Sequence, residues 1–194
     1  MNLQDISAKP RKKSKLKGSE AWDKTVESFR AMADLLEEYG MVLGYHNHDF
    51  EFDRYDGKFL HDCIFEEVGE ERIIPEIDTC WVRYAGLDPA DKLREFSGRV
   101  PVVHLKDFSC KKLAQGPVYD LIGSDAEVPE SKADNAFEFR PVGNGIQDFD
   151  SILEACSECG TETVIVEQDE PDGNRSELEA VAISAKYLKE RYGL

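Results

Sequence analysis

The 194-residue chain has no apolar run approaching the roughly 18–20 residues needed to cross a bilayer. Its N-terminus lacks the apolar stretch of a secretory signal. Neither a membrane-embedded nor an exported protein is expected, and a cytoplasmic location is. Basic residues are scarce: 24 Lys and Arg stand against 40 Asp and Glu, a net charge of −16. That surplus repels phosphate backbones and argues against nucleic acid as the main ligand. The five cysteines (63, 80, 110, 156 and 159) are scattered and odd in number. This excludes a disulfide framework and reads as reduced thiols. Cys156 and Cys159 form a CxxC, but inside an expected helix and without a second pair, so metal or redox use is not expected there.

What is present is a globular composition, 41% hydrophobic with 10% aromatic. Residues 9–17, KPRKKSKLK, hold six basic residues and no acid. They read as a flexible tail over 1–17, ahead of one domain over 18–194. From Gly18 the chain alternates helix and strand. Ser19 is placed as an N-cap, followed by Trp22, Val26, Phe29, Ala33 and Leu36 at helical spacing, with Gly40 as the stop. Further helices are expected near 59–68, 89–97, 149–159 and from Ser176 onward. The last has a possible Ser176/Glu179 capping box and an apolar face of Leu178, Val181, Ala185 and Leu188.

Between the helices lie four strand-like runs, 41–52, 72–81, 100–107 and 163–170. They read as strands of a parallel sheet buried on both faces, so the class is α/β. Pro75 removes a ladder donor and points to an edge, a bulge or a late strand start. Residues 108–141 read as a long irregular segment, with turns at Gly116-Pro117 and Gly123-Ser124.

Each run begins apolar and ends in a potential metal ligand: His46 and His48, Asp78, His104, and Glu167. Strand alternation puts Gly44, His46 and His48 on one face. A carboxylate after Val164-Ile165-Val166 needs a partner, because an unpaired buried charge is costly. In a barrel of parallel strands the C-terminal strand ends converge on the catalytic face. A mixed His/carboxylate set there suits a divalent ion such as Mn²⁺, Co²⁺, Zn²⁺ or Mg²⁺. Each residue alone has a commoner structural role: Asp78 as a turn cap, His104 as a core histidine. Their occurrence at four successive strand ends is what points to a site. Lys106 and Glu51, at the same rim, are candidates for substrate contact.

Gly44-Tyr45-His46-Asn47-His48-Asp49-Phe50-Glu51-Phe52 resembles the fingerprint of the sugar phosphate isomerase/epimerase family, within the xylose-isomerase-like TIM-barrel superfamily. Ile77-Asp78-Thr79-Cys80-Trp81, Val103-His104-Leu105-Lys106-Asp107, Gly143-Asn144-Gly145 with Asp148-Phe149, and Val166-Glu167-Gln168-Asp169 resemble four more of its elements. The resemblance implies a divalent metal held by Asp78, His104 and Glu167, plus a fourth ligand from the fifth barrel strand. Many relatives have Glu there; here the choice lies between His46 and His48. It further implies an isomerase or epimerase in carbohydrate metabolism, acting on a sugar or polyol by proton abstraction beside a metal-polarised carbonyl. Glu167, His46 or His48 would be the base, and Glu51, Lys106 and Trp81 would contact substrate. A sugar dehydratase uses the same chemistry.

By resemblance the chain starts at the fourth barrel helix, so the expected fold is a half-barrel of the C-terminal four strands. It would pair with another copy or complete a missing N-terminal half. A catalytically inactive half-barrel that binds metal or partners is the alternative function.

Overall fold

The computed structural model describes residues 17–111, 113, 135–173 and 175–194. The expected tail up to residue 16 and the two Gly-containing turns of the long segment lie outside the described residues.

Helix α1 (Glu20–Glu37) starts where Ser19 Oγ accepts the Trp22 N–H at 3.2 Å. It buries Trp22, Val26, Phe29 and Ala33, the stripe that its 3.6-residue period brings to one side. Strand β1 (Leu43–His46) follows, then a 3₁₀ turn (Phe50–Phe52) and a small hairpin of β2 (Arg54–Tyr55) and β3 (Lys58–Phe59). Next come α2 (Leu60–Val68), β4 (Ile73–Asp78), α3 (Thr79–Tyr84), α4 (Pro89–Glu95) and β5 (Val102–Leu105). The chain continues through β6 (Asp107–Ser109), β7 (Glu138–Arg140), α5 (Phe149–Cys159), β8 (Thr163–Val166) and α6 (Glu177–Tyr192).

Strands β1, β4, β5 and β8 make one parallel sheet, in the order they occur along the chain. Among the described residues the sheet is an open arc of four strands, with β1 and β8 each paired on one side only. The α/β class is the one that the sequence pattern implies, and the four-stranded open sheet is the partial barrel that the resemblance implies. The two ends of the segment read as irregular pair with each other: β6 and β7 are antiparallel, joining Asp107 to Arg140 and Ser109 to Glu138.

The strands are not buried on both faces. Ile73, Ile77, Val103 and Leu105 point to the helices and form the main core with Phe65, Leu93, Phe149 and Ile152. The alternate residues Glu76, Asp78 and His104 point to the inner face of the arc. The apolar look of these runs thus hides a period of two in which one face carries the chemistry. Pro75 lies within interior strand β4, not at an edge or ahead of the strand. Pairing of β4 with β5 begins only at Glu76, one residue beyond it. Cys156 and Cys159 are buried in the core face of α5.

Helix α6 has the capping box, Ser176 and Glu179 bonding reciprocally. It buries only Leu188 of the expected face. Ala180, Ser184 and Leu188 point inward, while Leu178 is 82% and Val181 52% exposed. Ser184 is tolerated in that buried stripe because its hydroxyl accepts the Val142 N–H at 2.9 Å and donates to the Ala180 carbonyl at 3.1 Å. Leu188→Ala should therefore cost about 2–5 kcal/mol, whereas Leu178→Ala should stay within about 0.5 kcal/mol of the parent. Urea denaturation of the two variants checks the assignment of faces.

Candidate metal centre

His46, Asp78, His104 and Glu167 come together at the C-terminal ends of the four sheet strands. Each offers one ligand atom, and these atoms lie within 4.8 Å of one another. The register explains the convergence: His46 is opposite Glu76, Asp78 opposite His104, and Leu105 opposite Val166, one residue before Glu167. His46 Nε2 is 3.4 Å from Asp78 Oδ2 and 3.3 Å from Glu167 Oε2. His104 Nδ1 meets the same Glu167 oxygen.

Asp78 does two jobs with its two oxygens. Oδ1 caps α3, accepting from Cys80 N at 2.8 Å and Trp81 N at 3.2 Å. Oδ2 is fully buried and makes no well-formed hydrogen bond; its charged neighbours His46 Nε2 and Lys106 Nζ stand at 3.4 and 3.6 Å. A buried carboxylate oxygen with only such long contacts is under-satisfied, and a cation among these four residues would satisfy it. The donor set of two imidazoles and two carboxylates fits a divalent ion. Asn47 holds Asp78 in place. Its side chain accepts the Asp78 N–H at 3.0 Å and donates to the Asp78 carbonyl at 3.2 Å.

Lys106 lies behind the cluster, 1% exposed, with Nζ 2.8 Å from Asp169 Oδ2, 3.0 Å from Glu167 Oε1 and 3.6 Å from Asp78 Oδ2. Its ammonium also sits 4.9 Å from the centre of the Trp81 ring and 5.1 Å from that of Phe139. Burial alone would lower its pKa, but the carboxylates of Asp78, Asp169 and Glu167 outweigh that and keep it charged. Burial opposes charge on His46 as well, yet Asp78 and Glu167 push its pKa up to about 10. Burial would raise Glu167, but its bonds to His104 and His46 and the nearby Lys106 hold it well below the usual carboxylate range. Asp169 goes the other way, raised by burial and by the adjacent Glu167 despite Lys106.

Of the two histidines at the end of β1, only His46 joins the cluster. Regular strand ends at His46, so the alternation that placed His48 beside it no longer applies. The His48 ring stacks on Phe50, with its centre 5.4 Å from that of His46 and its Nδ1 3.9 Å from Glu51 Oε1. Glu51 is buried, accepting from Tyr45 Oη at 2.6 Å and His48 N at 2.8 Å. Trp81 is fully buried in a second aromatic core with Tyr84, Phe108 and Phe139, so it backs Lys106 and presents no open face.

Three neighbours were not singled out from the sequence: Asn47, Glu76 and Asp169. Strand alternation offered a signal for Glu76, two residues before Asp78 on the same face. Asp107 is a further one. Its carboxylate accepts N–H groups of Phe108, Gly143, Gly145 and Gln147 at 2.7–3.2 Å. A Cβ on Gly145 would come within 2.1 Å of it, so the Gly-Asn-Gly turn closes directly onto the start of β6, next to Lys106.

A family model described as xylose isomerase-like TIM barrel matches residues 5–191. An inosose dehydratase of Geobacillus thermodenitrificans is 25% identical over 176 residues, covering 90% of this chain and 56% of that protein. The chain thus spans about half the length of the curated relatives it matches. A crystal structure of a sugar phosphate isomerase/epimerase from Parabacteroides distasonis superposes with a TM-score of 0.66 at 20% identity, covering 87% of this chain and 51% of that one. The IolI protein with a bound zinc atom gives 0.57 at 17% identity, covering 91% and 59%. No helix among the described residues is long and apolar enough to cross a membrane.

Metal ligation needs a neutral imidazole, so His46, protonated below about pH 10, must release its proton as an ion enters. Zn²⁺ affinity should rise with pH, by about tenfold per unit for one proton released. Calorimetry between pH 6 and 8 in buffers of different ionisation enthalpy reads both the slope and the released proton.

Proposed function

Because the chain belongs to the xylose isomerase-like TIM-barrel family, we propose that it acts on a sugar-like polyol ketone, removing a proton from the carbon beside the carbonyl. The fully buried Asp78 Oδ2, which makes no well-formed hydrogen bond and is grouped with His46, His104 and Glu167, is the observation that carries this reading. These four residues would hold the divalent ion. Zinc is the first ion to test, because the similar IolI protein binds it. When bound, the ion would supply Lewis-acid polarisation of the substrate carbonyl.

The chain's own groups divide the remaining work. His48 lies beside the cluster without joining it, with Glu51 next to its Nδ1, and is the base for the carbon-bound proton. Lys106 is a fixed positive charge that keeps Glu167 ionised. Asp169, whose pKa is raised next to an ionised Glu167, is the group suited to give a proton to a leaving hydroxyl. In that elimination the C–H electrons form the new double bond, the C–O bond breaks, and the hydroxyl leaves as water with the proton from Asp169. Dehydration is the outcome we favour over isomerisation or epimerisation, supported by the activity named for the curated relatives. Isomerisation would use the same first step and return the proton to a neighbouring carbon.

A second reading is favoured by the open arc and the coverage of only 56% of those relatives. In it this chain holds the ion, but the substrate pocket is completed by a second copy or by an N-terminal half-barrel. The test is to incubate the zinc-loaded protein in deuterated water with a panel of inososes and ketoses. Solvent deuterium at the carbon beside the carbonyl, or loss of water, is expected. His48→Ala should slow it about 10²–10⁴-fold. His104→Ala and Glu167→Ala should lose zinc as well as turnover. Tight zinc binding with no exchange on any substrate would reject catalysis by this chain alone and leave the second reading.

A further inference from the structure

The inner face of β4 carries a carboxylate that the reaction above does not use. Glu76 stands two residues before Asp78, opposite His46 on β1 and Val102 on β5. Its Oε1 is 2.5 Å from His104 Nε2, while the other ring nitrogen, Nδ1, meets Glu167. A neutral imidazole has one N–H and one lone pair, and a carboxylate accepting at one nitrogen puts the proton there. Without an ion both nitrogens face a carboxylate, Nε2 that of Glu76 and Nδ1 that of Glu167; once an ion takes the Nδ1 lone pair, Glu76 is the acceptor that holds the remaining proton on Nε2.

Space for this contact is provided from β1. A Cβ on Gly44 would lie 3.2 Å from Glu76 Oε2, closer than most real contacts, so the missing side chain gives the carboxylate its room. Gly44 is not among the residues with positive φ, so glycine is needed here for space and not for backbone conformation. The ring is also constrained from the side: the His46 and His104 centres are 4.6 Å apart with planes at 72°.

We propose that Glu76 is a positioning residue for the metal centre, fixing the tautomer and orientation of His104 so that Nδ1 is the ligand atom, with Gly44 as the gap that admits it. This rests on the metal reading above. Histidine ligands usually donate their second N–H to a carboxylate or carbonyl, and losing that partner costs about 10–100-fold in metal affinity.

Two measurements test it. Co²⁺ is titrated by visible absorption into the parent chain and into Glu76→Ala, Glu76→Gln and Gly44→Ala. Separately, the imidazole ¹⁵N shifts of His104 are read in the Zn²⁺-loaded protein. The proposal expects Glu76→Ala to bind Co²⁺ about 10–100-fold more weakly. Glu76→Gln, which keeps an acceptor oxygen, should recover most of that loss, and Gly44→Ala should fall in between. The loaded parent should carry its His104 proton on Nε2, and loaded Glu76→Ala should show a mixture of rings bound through Nδ1 and through Nε2. Equal Co²⁺ affinity in Glu76→Ala and the parent overturns the proposal, as does an Nδ1–H tautomer in the parent. If Glu76→Ala does not fold, parent-like affinity in Gly44→Ala together with an Nδ1–H parent overturns it. A parent that binds no Co²⁺ rejects the metal reading itself, an outcome distinct from equal affinity in the parent and Glu76→Ala.

Discussion

The inner face of this sheet depends on how Asp78 is held. One of its oxygens starts α3, the other points into the cluster, and the side chain of Asn47 clasps its backbone from the end of β1. The end of one strand, the end of the next and the first turn of a helix are thereby tied through a single residue. Geometry of this kind is what lets a carboxylate stay buried without a full set of donors. The cap fixes its rotamer and the clasp fixes its backbone, so Oδ2 stays aimed into the cluster, with His46 and Lys106 as its long charged contacts.

Around that point the charges nearly balance. Lys106 and a protonated His46 face Asp78, Glu167 and Asp169 in a space that is largely closed to water. His104, together with these two cations, holds Glu167 ionised, while Asp169, farther along the same chain segment, is raised by burial and by the adjacent Glu167 and takes up a proton more readily. Charge of this density in a buried setting is expensive unless every member is matched. The aromatic faces of Trp81 and Phe139 behind Lys106 add to the matching.

Much of this was legible in the sequence, for a physical reason. Apolar runs that end in a polar residue mark parallel strands, and parallel strands deliver their ends to one place, so Asp78, His104 and Glu167 could be named from pattern and resemblance together. The alternation rule failed at His48 because strand geometry stopped at His46. It was not applied at Glu76, where it would have worked. Leu188 was rightly placed on the buried face of α6, but Leu178 and Val181 were not, because Ser184 looks polar in sequence but is satisfied by Val142 and Ala180 in the fold. Nothing local identifies Asn47 as a clasp for a residue 31 positions away. Such partners become visible only when the sheet order brings β1 and β4 together.

That sheet order has a consequence for how faithfully the chain folds. Each of the four strands, added in chain order, brings one member of the cluster. A slip of one residue in any strand would turn its ligand from the inner face to the helix side. Apolar burial alone would penalise such a slip only by degrees, whereas a four-ligand centre tolerates no missing member. The cluster is thus a check on register built into the fold, complete only when all four strands have been aligned correctly.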